Sequence, residues 1–299
     1  MRGREGRRNM PPRRKSSFRT ISLLMLLPIG GLVLYLAVQF VREQFAHVAK
    51  PAPQHVEAST IAPPKPVVAA KKTPPAKPHH GSGGIVVILD DVGFDHQPLA
   101  GAMRIDPNVN FAVLPNGAKS REFARELNAH GFELLCHLPM EPENPHQSPG
   151  ANAVMTTMTD AEIAATTRAN VGAIPNIRGV NNHMGSRATS DRRVMTSVMN
   201  ALPRGLYFID SRTAGTSLAA DVAREMNIRT ASRSVFLDDV QKEDAIRAQL
   251  AALVTAAESH GVAIGIGHMY PETVRVLAAA APALRSRGIR FLRASEVVN

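Results

Sequence analysis

From Ile85 onward, short runs of strand-forming apolar residues alternate with longer stretches patterned for helix, and this alternation is the strongest constraint on the fold. Strand-like runs fall at 85–89, 110–114, 132–136, 179–182, 206–209, 234–237, 262–266 and 289–292. The clearest helical stretches fall at 118–130, 159–173, 191–201, 217–227, 241–260 and 272–287. Thr159-Asp160-Ala161-Glu162 reads as a capping box, in which the Thr hydroxyl and the Glu carboxylate satisfy free backbone donors at a helix start. Gly131, Gly205, Gly261 and Gly288 each stand between a helix and the next strand, where a left-handed C-cap is wanted. Seven or eight such alternations predict an α/β fold with a mostly parallel sheet, closed into a distorted (β/α) barrel or left open and doubly wound. No glycine-rich phosphate loop or dinucleotide fingerprint follows the first strand, which argues against nucleotide binding.

The chain ahead of this region has a different composition. Of the formal net charge of +10, residues 1–19 carry +7, residues 20–84 carry +4 and residues 85–299 carry −1. The basicity therefore belongs to the leading segments and does not point to nucleic acid. Residues 20–41, TISLLMLLPIGGLVLYLAVQFV, contain no charge, and about 20 apolar residues at 1.5 Å each cross a bilayer core. The basic arm before this run predicts a cytoplasmic N-terminus and an extracytoplasmic position for everything beyond Arg42. The run is longer than a signal-peptide core and ends in Gln39-Phe40-Val41-Arg42 without a small-residue cleavage site. The expectation is an uncleaved single-pass anchor in the inner membrane, with residues 85–299 as a periplasmic domain. Residues 42–84, dominated by Pro, Ala and Lys, read as an extended linker. The single cysteine, Cys136, excludes an internal disulfide and speaks against a cysteine-based zinc site.

Polar residues recur where the strands end: Asp90-Asp91, Cys136-His137, Asn181-Asn182-His183, Asp210-Ser211-Arg212, Asp238-Asp239 and Gly267-His268. Any one of them has an ordinary structural use, since an Asp after a strand often caps a helix and a lone His often satisfies a local hydrogen bond. Three histidines and several carboxylates on one rim suit a divalent metal. Catalytic zinc takes three imidazole or carboxylate ligands and keeps a position for water. Because successive side chains on a strand face opposite ways, Asp90 and Asp91 are expected to divide the work, one binding metal and the other handling protons.

The segments LDDVGFD, HLPMEPENPHQSPGANAV, GVNNHMGSRAT, FIDSRT, VFLDD and IGIGHMYPETV together resemble the divergent polysaccharide deacetylase family, over essentially all of residues 85–298. That family is a distant branch of the metal-dependent carbohydrate esterases, which remove acetyl groups from chitin-like and peptidoglycan polymers. The resemblance implies a distorted (β/α) barrel and a polysaccharide or peptidoglycan substrate. It also implies a divalent metal, zinc by preference, with Asp90 as catalytic base, Asp91 as metal ligand and His268 as general acid. In the main deacetylase group two metal-binding histidines stand four residues apart, whereas here the segment reads His137-Leu138-Pro139-Met140-Glu141. The third ligand beside Asp91 and His137 is then Glu141 or His183, with His183 preferred because it follows a strand directly. Asn182 is a further supporting candidate, and Arg212 is a candidate to orient Asp90 or to contact substrate, with an ordinary surface ion pair as its equal alternative. Asp210 and Asp238-Asp239 are candidates to position His268, with helix capping as their ordinary alternative. A rival reading keeps the barrel but makes the domain a glycan-binding or scaffolding module, on the strength of the missing histidine at position 141. A metal-free glycosidase using two carboxylates is a weaker third.

Overall fold

The computed structural model describes residues 83–299. The basic arm, the apolar run at 20–41 and all but the last two residues of the expected linker lie outside them. Among the described residues no helix is long and apolar enough to cross a membrane.

Nine strands occur in the described chain: β1 (Gly84–Val92), β2 (Asn110–Val113), β3 (Glu133–Met140), β4 (Gly179–Met184), β5 (Tyr207–Asp210), β6 (Thr230–Ser232), β7 (Val235–Phe236), β8 (Val262–His268) and β9 (Arg290–Phe291). Seven α-helices lie between them: α1 (Leu99–Ala102), α2 (Ser120–Ala129), α3 (Asp160–Ala173), α4 (Arg192–Ala201), α5 (Ala219–Glu225), α6 (Glu243–His260) and α7 (Pro271–Ser286). The strands pair in the order β6-β5-β4-β3-β2-β1-β8-β7, with β9 beside β1, and every pair is parallel. The two ends of this path are consecutive halves of one extended segment. At their junction Arg233 N donates to Asp210 O (2.9 Å) on β5 and Ser234 N donates to Ile264 O (2.8 Å) on β8. The sheet therefore curls back toward its own start, which is the barrel-like member of the two expected architectures.

Alternation along the strands separates an inner from an outer face. Val86 and Ile88 of β1 pack inward with Ala112, Leu135, Tyr207, Ile209, Ile264 and Ile266. Ile85, Val87 and Leu89 pack outward with Phe111, Leu134 and the helices. All five residues from Ile85 to Leu89 are fully buried, and each contributes roughly 1.5–3 kcal/mol by leaving water. That burial fixes the register of β1, because a one-residue slip would exchange the two faces and turn Asp90 away from the interior. On β4 the inner position below the site is Gly179, where a Cβ would stand 2.1 Å from Tyr207 Cε2. Tyr207 fills that space and donates its hydroxyl to Glu133 Oε1 (2.7 Å).

Local signals explain the helix ends. Thr159 caps α3 through the full capping box, with Glu162 N donating to Thr159 Oγ1 (3.3 Å) and Thr159 N to Glu162 Oε2 (2.8 Å). Gly261 ends α6 with φ 86°. Other boundaries differ from the sequence expectation. β3, β4 and β8 run on to Met140, Met184 and His268, so His137, His183 and His268 sit on strands. Pro139 is tolerated because β2 ends its pairing at Cys136, so no β2 carbonyl awaits a donor from position 139; on that side Pro139 only accepts, from Val154 N (2.9 Å). β6 is three residues of Thr, Ala and Ser with no apolar run to reveal it, and α1 is a single turn.

Candidate metal centre

Asp90 continues the inward series of β1 and is the register partner of His268 on β8. Parity would send Asp91 outward. Instead Asp91 takes φ 58° and the pairing with β2 slips between Leu89 and Val92, a bulge that aims both carboxylates at one site. A left-handed non-glycine residue costs on the order of 1–3 kcal/mol, which Gln97 helps offset. Its Oε1 accepts from Gly93 N (2.9 Å) and Phe94 N (3.1 Å), and its Nε2 donates to Asp91 O (2.7 Å). Gly93 is confined to glycine twice over, by φ 135° and by Ser120 Oγ lying 2.2 Å from where a Cβ would stand.

β3 supplies His137 and β4 supplies Asn181 and His183. His137 pairs in register with Asn181, and Pro139 with His183, so residues 181 and 183 face the site while Asn182 faces away. Asp91 Oδ1 lies 3.2 Å from His137 Nε2 and 2.9 Å from His183 Nδ1, and the two nitrogens are 3.2 Å apart. Asn181 sets the tautomer. Its Nδ2 donates to Asp90 Oδ1 (2.9 Å) and to Ser211 Oγ (3.2 Å), so its Oδ1 accepts the Nδ1 proton of His137 (3.0 Å). In the neutral ring the Nε2 lone pair of His137 then faces the cluster.

The triangle fits a divalent cation. Four-coordinate zinc with ligands at about 2.0–2.1 Å puts neighbouring ligands about 3.3 Å apart, close to each side of this triangle. Asp91 Oδ1 is buried and no donor is aligned on it, although two ring nitrogens stand nearby. Three electron pairs converging in a buried place need a cation or a proton between them. Without a cation, protons serve. Burial alone would raise the Asp91 carboxyl, but the close approach and charge of His137 and His183, once their ring nitrogens turn a proton toward it, outweigh burial and hold it well below the usual carboxylate range. Burial alone would lower His137, but Asp90 and Asp91 outweigh it and raise the imidazole.

Across the cluster, His268 directs Nε2 to within 3.8 Å of Asp91 Oδ2 and gives Nδ1 to Asp238 Oδ1 (3.0 Å). Asp238 is buried and held in turn by His268 N (2.6 Å) and Thr273 Oγ1 (2.6 Å) on its other oxygen. Burial works against the charged ring, but the Asp238 hydrogen bond and the neighbouring carboxylates prevail and push His268 up to about 9. Asp90, with Oδ2 3.5 Å from His137 Nε2, is raised by burial, against the pull of His137 and His268. These side chains open onto a cleft of about 860 Å³. A smaller recess of about 340 Å³, walled by Phe94, Leu114, Pro139 and Pro149, borders Asp91 and His183.

The structure brings together Asp90, Asp91, His137, His183 and His268. It does not bring Glu141, whose Oε2 accepts from Thr156 N (2.5 Å) and whose Oε1 accepts from Arg187 (3.3 Å). Of the carboxylates expected beside His268, Asp238 is there. Asp210 instead accepts from Arg212 N (2.8 Å) and Ser217 Oγ (2.9 Å), and Asp239 lines the cleft without touching the ring. Asn182 accepts from Ser211 N (2.9 Å) and donates to Met184 O (2.7 Å), which makes it a brace for the loop after β5. Arg212 lines the cleft and makes no contact with Asp90. The sequence offers Asn181 only as one polar residue at a strand end, without a role, and does not announce Gln97; strand parity, two positions before His183, is the signal that places Asn181 in the site.

A curled parallel α/β sheet with an Asp-His-His triangle and a carboxylate-held histidine at its strand ends defines a polysaccharide deacetylase-like domain. Residues 87–298 match the divergent polysaccharide deacetylase family, and the chain belongs to it. It is 38% identical over 194 residues to YibQ, an uncharacterized protein of Escherichia coli K12, across 64% of this chain and 60% of that one. An uncharacterized protein of Haemophilus influenzae is 33% identical over 196 residues, across 65% of this chain and 70% of its own length. Among solved structures, uncharacterized protein ATU2773 from Agrobacterium tumefaciens C58 shares the fold with a TM-score of 0.69 at 22% identity, over 75% of this chain and 92% of that one.

Proposed function

We propose that the chain is a metal-dependent hydrolase that removes acyl groups, acetyl in the simplest case, from a polysaccharide or peptidoglycan-type glycan. The observation that carries this reading is the Asp91–His137–His183 triangle facing His268 across one cleft. Those three residues would hold the cation, zinc by preference, which supplies Lewis-acid polarisation of an acyl oxygen and acidification of water. Asp90, raised by burial and oriented by Asn181, takes the proton from the attacking water. His268, charged and held by Asp238 through Nδ1, donates from Nε2 to the departing amine or alcohol. The recess walled by Phe94, Leu114 and Pro139 gives the hydrocarbon end of the acyl group an apolar place.

The family supports a glycan substrate. The reading as a non-catalytic module leaned on the histidine missing at 141, and the proximity of His183 to Asp91 weakens that support. The apolar run at 20–41 supports a membrane-anchored protein whose domain acts in the periplasm. The test is metal content together with acetate release from N- and O-acetylated glycan oligomers. Bound metal with no release from a broad panel would favour the binding module.

A further inference from the structure

The turn after β5 is pinned at several points and carries one side chain with nothing to hold. Ser211 N, Arg212 N and Thr213 Oγ1 donate to Asn182 Oδ1 (2.9 Å), Asp210 Oδ1 (2.8 Å) and Met184 O (2.8 Å). Arg233 clamps the turn from the β6–β7 junction, with Nε on Ser211 O (2.6 Å) and Nη2 on Arg212 O (2.8 Å), its guanidinium 4.9 Å over the Phe236 ring. Phe236 packs edge-on to His268 at 5.5 Å, so the clamp and the candidate acid share one wall. The result is Arg212 in a left-handed conformation, φ 48°, exposed on the cleft. Among the described residues its guanidinium has no hydrogen-bond or ion-pair partner; Asp210, the nearest carboxylate in sequence, is spent on Arg212 N and Ser217 Oγ.

A strained backbone braced this firmly to present an unpaired guanidinium is the arrangement expected of a recognition group. Charge around the cleft agrees. Asp90, Asp91 and Asp239 line it with two guanidinium groups, and of these Arg233 is spent on the turn, which leaves Arg212 as the free fixed cation of the lining. We propose that Arg212 binds a carboxylate borne by the sugar, so that the substrate is an acidic, carboxylate-bearing glycan in preference to a neutral chitin-like one. The planar guanidinium fork matches a carboxylate with two parallel hydrogen bonds, which a lysine ammonium does not. The inference rests on the cleft being the glycan site.

The test is calorimetric titration of the zinc-loaded full chain with a muramic-acid-containing N-acetylated tetrasaccharide and with the same sugar after its carboxylates are converted to methylamides. The acid form binds at least 10-fold more tightly; Arg212→Gln brings the ratio of the two dissociation constants toward one, and Arg212→Lys restores part of it. Thermal melting of the variants confirms an intact fold. Equal binding of acid and amide, binding of neither, or a preference that survives in Arg212→Gln overturns the proposal. Acetate release is read separately: bound zinc without release counts against the hydrolase, while the charge preference alone decides the role of Arg212.

Discussion

His183 Nδ1 stands 2.9 Å from Asp91 Oδ1. Two departures from regular expectation create that contact. β4 continues past Asn182, so His183 is carried inward by strand parity, and β1 bulges at Asp91, so a side chain due to face the helices faces the cleft. Neither alone would bring these residues together.

Asn181 touches both His137 and Asp90, and its loss should be felt at both. In Asn181→Ala the His137 Nδ1 proton loses its acceptor and Asp90 loses a donor. Zinc affinity, measured by competition with a chromogenic chelator, should fall about 10–100-fold, as is usual for loss of a group that orients a metal-binding imidazole.

Asp238→Asn should move His268 from about 9 down toward ordinary imidazole behaviour, since the Asp238 carboxylate contributes the largest favourable effect on the charged ring. An NMR titration of the His268 ring protons checks this. In turnover, activity that depends on a charged His268 should be lost at lower pH in the variant than in the parent.

The metal-free chain should lose stability as pH rises. His268 is raised from 6.5 to about 9, so its contribution is full below about 6.5 and disappears as pH passes through about 9; the size is up to about 3 kcal/mol. The upward shifts of His137 and Asp90 act in the same direction. Asp91, held low, contributes above its unfolded value near 3.8 and stops contributing in strong acid. Thermal melts in excess chelator should therefore show a higher Tm at pH 6 than at pH 9.5.

Gln97→Ala removes three hydrogen bonds from the turn that holds Asp91 in its left-handed conformation. Net values of about 0.5–1.5 kcal/mol per bond predict a loss of about 1–3 kcal/mol, after partial replacement by water. Zinc affinity should fall along with Tm, because Asp91 is free to relax toward regular strand geometry.

Much of this was legible in the sequence because the inner and outer faces are written as apolar alternation and helix ends as Thr159 and Gly261. The five side chains that gather at the cleft were legible as polar residues at strand ends. What was not legible depended on backbone geometry. The expected opposition of Asp90 and Asp91 fails at a bulge that no residue type announces, and β6 lacks the apolar run that would mark a strand. Glu141 stood at the spacing of a ligand, but its carboxylate is taken by Thr156 N and Arg187.

The central claim is that Asp91, His137 and His183 form one metal site. Metal analysis of the full chain, purified without a histidine tag and re-equilibrated with limiting zinc, tests it most directly, beside His183→Ala and Glu141→Gln. The account predicts one zinc per parent chain, retention in Glu141→Gln and loss in His183→Ala. A parent without stoichiometric metal, or a His183→Ala variant that binds zinc as well as the parent, would contradict it.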